Sequence, residues 1–271
     1  MEEKHYENFP VASLMLPAHL RRPVSLLYTF ARKADDFADE GDLAPEERLR
    51  LLDSFRQELS TIASGENPHS QLFRDLEKLI HERDLPLQCF FDLLDAFSQD
   101  VVKKRYETFE ELLDYCTRSA DPVGRLLLAL YGHDTPQNRR LSDRICSSLQ
   151  IINFLQDVAI DWKMGRVYLP EEDLVRFGIE EEQIAQGLAD RKWSEMMSFQ
   201  IARARAMMQE GAPLAGVMRG RLGLEMKLIV LGGLRILELL DECRGDVFSR
   251  RPKLGRKDWA ILLFRAFLSP L

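Results

Sequence analysis

Two stretches of this chain carry an acidic or amide side chain at every fourth position. In Tyr28 to Glu40 (YTFARKADDFADE), Asp35 and Asp39 are four residues apart, with Asp36 beside them. In Leu149 to Pro170 (LQIINFLQDVAIDWKMGRVYLP), Asn153, Asp157 and Asp161 are spaced four and four. This spacing stacks side chains on one face of a helix, whereas a strand places alternate residues together. Like charges at that spacing destabilise a helix, and a surface that needed only solubility would alternate signs. The neighbours of both ladders are apolar. Each ladder taken alone is also compatible with a solvated face or a cap. The two together, 114 residues apart from Asp39 to Asn153, point to helices that meet over a shared cation.

The rest of the chain is compatible with such an architecture. Twelve prolines divide it into pieces of helical length, and no Val/Ile/Thr-rich alternating run is bounded by hairpin turns. Pro23 is predicted in the first turn of a helix reaching about Glu40, and Pro45 opens a second with Leu49, Leu52, Phe55 and Leu59 as its stripe. A third covers about Ser70 to Glu82, and a fourth, opened by Pro86, carries Phe90, Leu93, Leu94, Phe97 and Val101. Phe109 to Tyr131 is predicted helical on both sides of a break at Asp121-Pro122. Thr135 and Pro136 form the cap and first turn of a helix to about Asp161. Gly165 to Ile179 is less regular, and one helix of roughly 25 residues is predicted to follow it. After Pro213 comes an apolar helix, then a basic link from Arg250 to Lys257, then a last helix holding Trp259 to Phe267. No repeat, low-complexity tract or Pro/Gly/Ser-rich linker divides the chain. The expectation is one all-α domain over residues 1–271.

Composition narrows the function. The 45% apolar fraction supplies a sizeable core, and a net charge of -7 is opposite in sign to that of most nucleic-acid-wrapping proteins. The cysteines at 89, 116, 146 and 243 fit neither a zinc ribbon nor a disulfide scaffold, so a reducing cytoplasm is expected. Met1-Glu2-Glu3-Lys4-His5 does not open a signal peptide. The most apolar run, Leu224 to Leu240, contains Glu225, Lys227, Arg235 and Glu238 and reads as a buried helix rather than a membrane span.

Carboxylate and amide oxygens facing each other across a cavity suit Mg²⁺, which takes hard oxygen ligands and completes its shell with water and substrate phosphate. Arg32 and Arg166 then suit the outer oxygens of a diphosphate. A di-iron centre would want Glu-x-x-His motifs, which the five histidines do not form. Ionisation of a diphosphate ester in an apolar pocket is the chemistry this set points to.

These residues also carry a resemblance. FARKADDFADE (30–40), YCTRSADPVG (115–124) and NFLQDVAIDWKMGRVYLP (153–170) resemble the motifs of the squalene/phytoene synthase family, the head-to-head isoprenoid synthases. The similarity extends over essentially the whole chain. HYENFPVASLMLP (5–17) and RLGLEMKLIVLGGLRILELL (221–240) are most similar to its bacterial hopanoid-pathway branch. The resemblance implies an isoprenoid-synthase-type helical bundle around a central apolar cavity. It implies Mg²⁺-dependent ionisation of presqualene diphosphate, rearrangement of the cation and quenching by water to hydroxysqualene and diphosphate. The alternative within the family joins two prenyl diphosphates head-to-head to give presqualene diphosphate, squalene or phytoene. A non-enzymatic assembly factor on the same fold would be expected to lose ladder residues, and this chain keeps both ladders and Arg32.

The same resemblance implies that Asp35, Asp39, Asp157 and Asp161 face the metal. Asp36 and Asn153 belong to the same set, Asp36 at a less favourable helical angle. Several Mg²⁺ ions bridging the diphosphate are implied; NADPH is not expected. Arg32, Gln150, Asn153 and Arg166 would bind substrate. Tyr115 would lie over the cation path, where its ring can stabilise positive charge, or else is a core tyrosine. Tyr168 would hydrogen-bond across the mouth or pack in the core. His5 would touch a phosphate or belong to a frayed terminus; Tyr6 stands where relatives have serine. Asp121-Pro122 replaces a smaller pair and would reshape the pocket.

A C30 prenyl diphosphate partitions into membranes, so a peripheral contact at the inner face of the cytoplasmic membrane is expected. RRPKLGRK (250–257) has five basic residues and no acidic one; it would meet anionic head groups or form a solvated link. No aromatic or Gly-rich pattern marks it for nucleic acid. Enzymes that supply presqualene diphosphate and reduce hydroxysqualene are the expected pathway neighbours.

Overall fold

The computed structural model describes residues 16–268, and every regular element among them is a helix. His5 and Tyr6 lie outside the described residues. The first four helices are α1 (Ala18–Asp39), α2 (Pro45–Ser64), α3 (Gln71–Arg83) and α4 (Gln88–Val102). They enclose an apolar cluster in which Phe30, Phe55, Phe73 and Phe90 meet mostly edge to face, at 4.9 Å for Phe55–Phe73 and 5.2 Å for Phe30–Phe90. Edge-on contact suits the ring quadrupole.

The chain continues through α5 (Phe109–Ser119), α6 (Asp121–Tyr131) and the long α7 (Pro136–Lys163). Next come α8 (Glu171–Phe177), α9 (Glu181–Gln186), α10 (Arg191–Gly211), α11 (Leu214–Val217), α12 (Gly220–Glu242) and α13 (Arg256–Leu268). These build a second apolar cluster, with α7 packed along α10 as its axis. The α7–α10 approach is close because Gly211 has no side chain. A Cβ there would sit 2.7 Å from the carbonyl oxygen of Leu141. Helix α6 joins the two clusters: Leu126 and Leu130 belong to the first and Leu128 to the second. The result is one all-helical bundle.

The caps follow the sequence. Ser70, Thr108 and Thr135 accept hydrogen bonds from the backbone N–H groups of Phe73, Glu111 and Asn138, satisfying donors that have no partner inside the helix. Three boundaries differ from expectation, one of them the single helix expected after Ile179, which is split into α9 and α10 because Gly187 ends the first in a left-handed conformation and Asp190 caps the second. Helix α1 begins at Ala18, so Pro23 lies inside it rather than in its first turn. Its missing N–H deprives the His19 carbonyl of a donor, which water can replace because His19 is exposed. The apolar segment after Pro213 is two helices, α11 and α12, separated at Met218 and Arg219. Gly223 packs on the Met218 carbonyl at this corner. Among the described residues no helix is long and apolar enough to cross a membrane.

Candidate active site

The first ladder lies on the last turns of α1 and the second on the last turns of α7. What brings them together is the turn that ends α7. Gly165 has φ +74°, a left-handed conformation that only glycine adopts without strain. It reverses the chain so that the Arg166 N–H bonds the Asp161 carbonyl at 2.8 Å. The segment between α4 and α5 then clamps the reversed strand. The Val167 N–H bonds the Lys104 carbonyl (3.0 Å), the Glu171 N–H bonds the Tyr106 carbonyl (2.9 Å), and Arg105 donates to the Gly165 carbonyl (2.6 Å).

Held in this way, Arg166 reaches across to α1. Both of its terminal nitrogens donate to the Asp39 carboxylate, Nη1 to Oδ2 at 3.0 Å, and Nη2 also donates to the Asp100 carbonyl at 3.2 Å. Among the described residues its buried Nε has no hydrogen-bond partner. Burial disfavours the Arg166 cation, but the hydrogen bond to Asp39 and the surrounding carboxylates outweigh it and raise its pKa. This ion pair ties the first ladder to the tail of the second.

The other ladder carboxyls show how crowded with negative charge the region is. Asp35 is pushed up to about 7 by desolvation and then by Asp39, against the opposing pull of Arg32. Asp161 is pushed up to about 8 by desolvation and then by Asp157, with Asp39 and Asp100 adding to it against Arg166. Asp161 therefore feels carboxylates from three helices. The Asp35 side chain is nevertheless 40% accessible.

Arg32 is occupied on its own helix, at 2.8 Å from Asp36, 2.6 Å from Glu40 and a long 3.4 Å from Asp35. Asp157 is held by both Nε and Nη2 of Arg251, the latter at 3.0 Å. The link carrying Arg251 is pinned further by Gln156, whose side chain donates to the Pro252 carbonyl at 2.6 Å. Asn153 is exposed and Gln150 half-buried. Among the described residues no three His, Cys, Asp or Glu groups are gathered closely enough to hold a metal ion; guanidinium groups occupy Asp39 and Asp157. The donor set still fits a hard divalent cation. It offers four carboxylates and an amide, and Asp35 and Asp161 are raised by desolvation and then by the neighbouring carboxylates Asp39 and Asp157, which a bound cation would offset.

Below the ladders, Tyr106, Tyr115, Phe154 and Tyr168 form a buried aromatic block. Phe154 and Tyr168 are stacked at 3.9 Å, and Tyr115 lies 6.0 Å from Tyr168. Both phenols, those of Tyr115 and Tyr168, donate to one carboxyl, Asp100, at 2.6 and 3.0 Å. Desolvation raises Asp100 to about 6, while the two phenols pull it down. Asp100 and Arg251 escaped the sequence reading. Asp100 falls seven residues after Leu93 on the apolar stripe of α4, so a carboxylate among core positions was its signal. Arg251 gave none beyond its place in a basic run. Asp121 is buried and accepts from Ser147 at 2.8 Å, among Asp143, Arg125 and Arg144 rather than the ladder carboxylates.

The comparisons with known proteins agree with this arrangement. The model of the squalene/phytoene synthase family matches residues 3–258. The chain belongs to that family. It is 34% identical over 267 residues to the hydroxysqualene synthase of Rhodopseudomonas palustris, with 98% of this chain and 89% of the relative aligned. It is also 34% identical to the hydroxysqualene synthase of Sinorhizobium fredii, over 86% of this chain and 79% of the relative. The crystal structure of squalene synthase HpnC from Alicyclobacillus acidocaldarius superposes with a TM-score of 0.82 at 38% identity. That match covers 89% of this chain and 90% of the other.

Proposed function

We propose that this protein is a Mg²⁺-dependent head-to-head isoprenoid synthase. Its reaction would be the ionisation of presqualene diphosphate and the quenching of the rearranged cation by water, giving hydroxysqualene and diphosphate. The observation that carries the ionisation step is the Arg166–Asp39 pair, which makes one electrostatic site of two ladders distant in sequence. The relatives named hydroxysqualene synthase support the water-quenched outcome.

Asp35, Asp39, Asp157 and Asp161, with Asp36 and Asn153, would hold the metal, which when bound neutralises the diphosphate as its carbon–oxygen bond breaks. The protein's own groups supply the rest. Arg166 has a buried Nε that makes no hydrogen bond among the described residues and would be available to a phosphate oxygen, and the partly exposed Arg32 would offer a second guanidinium. Gln150 and Asn153, one turn apart on α7, offer amide contacts. His5 would add a phosphate contact from outside the described residues. Tyr115 and Tyr168, held by Asp100, keep the aromatic faces fixed while positive charge develops on the hydrocarbon. The apolar helices would shield that charge from bulk water until the quench, whose released proton leaves to solvent. NADPH has no part in this scheme.

A second reading has specific support. The solved structure at 38% identity is named a squalene synthase, and the family description spans squalene and phytoene formation. In that reading the same site ionises one prenyl diphosphate so that a second attacks it. The two readings share the ladder chemistry and differ in what reaches the cation. Incubation with Mg²⁺ and presqualene diphosphate, and separately with farnesyl diphosphate, each with and without NADPH, separates them by product. Hydroxysqualene from presqualene diphosphate, indifferent to NADPH, is expected. Turnover of farnesyl diphosphate with no hydroxysqualene from presqualene diphosphate would install the second reading.

A further inference from the structure

Helix α13 turns a long apolar face outward. Leu262 and Ala266 are buried against the bundle, whereas Ile261, Leu263, Phe264 and Phe267 are exposed, the two phenylalanines at 68% and 75%. At about 100° per residue these four and Ala260 fall on one arc of the helix, opposite the buried pair. Arg256 and Lys257, both exposed, occupy the first turn of that same arc. Isolated exposed apolar residues are ordinary, but a continuous exposed apolar arc with cations at one end is not.

The charge around this face is one-sided. From Arg250 to Leu268 there are six basic residues and one acidic residue, in a chain whose net charge is -7. The acidic groups packed against α13 are already matched. Asp258 accepts from Arg235 at 2.8 Å and from the Gly255 N–H, and Glu238 is held by both Arg235 and Arg265. Arg251 and Arg265 are spent on Asp157 and Glu238, and the exposed Arg250, Arg256 and Lys257 present positive charge beside bare hydrocarbon. This is the composition of a helix that lies in a bilayer interface, with its apolar side chains at the acyl boundary and its cations among anionic head groups.

We propose that α13 and the 250–257 link form a docking face for an anionic lipid bilayer. The occupant is a lipid surface rather than a protein because the exposed cations are spread along the strip, and among the described residues of α13 and the 250–257 link no buried side-chain polar atom is left without a partner to read a protein ligand. This inference does not depend on which reaction the ladders perform. It would place the protein where long-chain isoprenoid substrates and products dissolve.

The test is co-sedimentation of the full chain with vesicles of phosphatidylcholine alone and of equal parts phosphatidylcholine and phosphatidylglycerol. Binding is expected to the mixed vesicles, to weaken with added salt, and to be marginal on phosphatidylcholine alone. The double variant Phe264→Ser with Phe267→Ser, and separately Arg256→Gln with Lys257→Gln, should each lower the partition coefficient about tenfold or more. Val175→Ser, which removes the 78% exposed side chain of α8, should leave it unchanged. Thermal melting of all three variants at the wild-type temperature confirms that the fold is intact. Failure of the wild-type chain to bind the mixed vesicles, or binding that both double variants retain, would overturn the proposal. So would a vesicle-independent dimer that Phe264→Ser with Phe267→Ser dissociates, because the face would then belong to a second copy.

Discussion

Replacing Arg166 by glutamine tests the electrostatic account of the site in the absence of any substrate. The Arg166 side chain is 7% accessible and its partner Asp39 27%. The substitution removes both hydrogen bonds to Asp39 and weakens the one to the Asp100 carbonyl. Breaking a buried pair from one side costs about 3–5 kcal/mol. Water still reaches Asp39, so about 2–3 kcal/mol is expected here, equivalent to a fall in melting temperature of about 5–10 °C for a chain of this size. The loss should depend on pH. Asp161, Asp35 and Asp100 are raised to about 8, 7 and 6, so near pH 5 they hold protons and the site carries less negative charge for Arg166 to balance. Above about pH 8 they ionise, and the missing cation is felt in full. The melting-temperature difference between wild type and variant should therefore be about twice as large near pH 8.5 as near pH 5. Millimolar Mg²⁺ should restore part of it at the higher pH. Differential scanning fluorimetry over that range, with and without Mg²⁺, is sufficient. An equal loss at both pH values would refute the idea that Arg166 balances a cluster of ladder carboxylates.

Asp157→Asn, and likewise Asp35→Asn, should reduce Mg²⁺-dependent diphosphate release more than about 100-fold, as expected when charge stabilisation of a leaving group is lost. A variant at full turnover would reject the metal assignment and reopen the assembly-factor reading. Asp100→Asn should lower kcat about tenfold with little change in KM, because both phenols lose a charged acceptor. Near-UV circular dichroism of the tyrosine block should change with it, and a KM-only effect would show that Asp100 does not position those rings. Asp121 is 3% accessible, and burial, then Asp143, pushes it up to about 7. The native state keeps a proton there that the unfolded chain releases near pH 4, so its contribution to stability is lost as pH rises from about 4 to about 7. Asp121→Asn should thus gain on wild type over that range by up to about 4 kcal/mol in urea denaturation; a constant difference would contradict the burial argument.

Local rules accounted for most of the helix framework. Ser70, Thr108 and Thr135 cap where their side chains can reach an unpaired N–H, and Pro45 and Pro136 open helices because the first turn needs no proline N–H. The ladders were legible for a similar reason, since i,i+4 spacing is a property of one helix. Pro23 was misplaced because solvent relieves its neighbour's orphaned carbonyl, and solvent exposure is not written in a local pattern.

The chain alone thus determined that its helices form, where most begin, and that two of them carry acidic faces in need of a counter-charge. Only the tertiary structure decided what supplies that counter-charge. Arg166 reaches Asp39 across 127 residues, Arg251 reaches Asp157 across 94, and the phenols of Tyr115 and Tyr168 converge on Asp100. Side-chain partners are chosen by how helices cross, and that crossing is set by summed packing over the whole bundle rather than by any short stretch. The outward apolar arc of α13 belongs to the same class: the segment is apolar nearly all round, and which arc faced the core was fixed by where α12 and Glu238 stood to receive it.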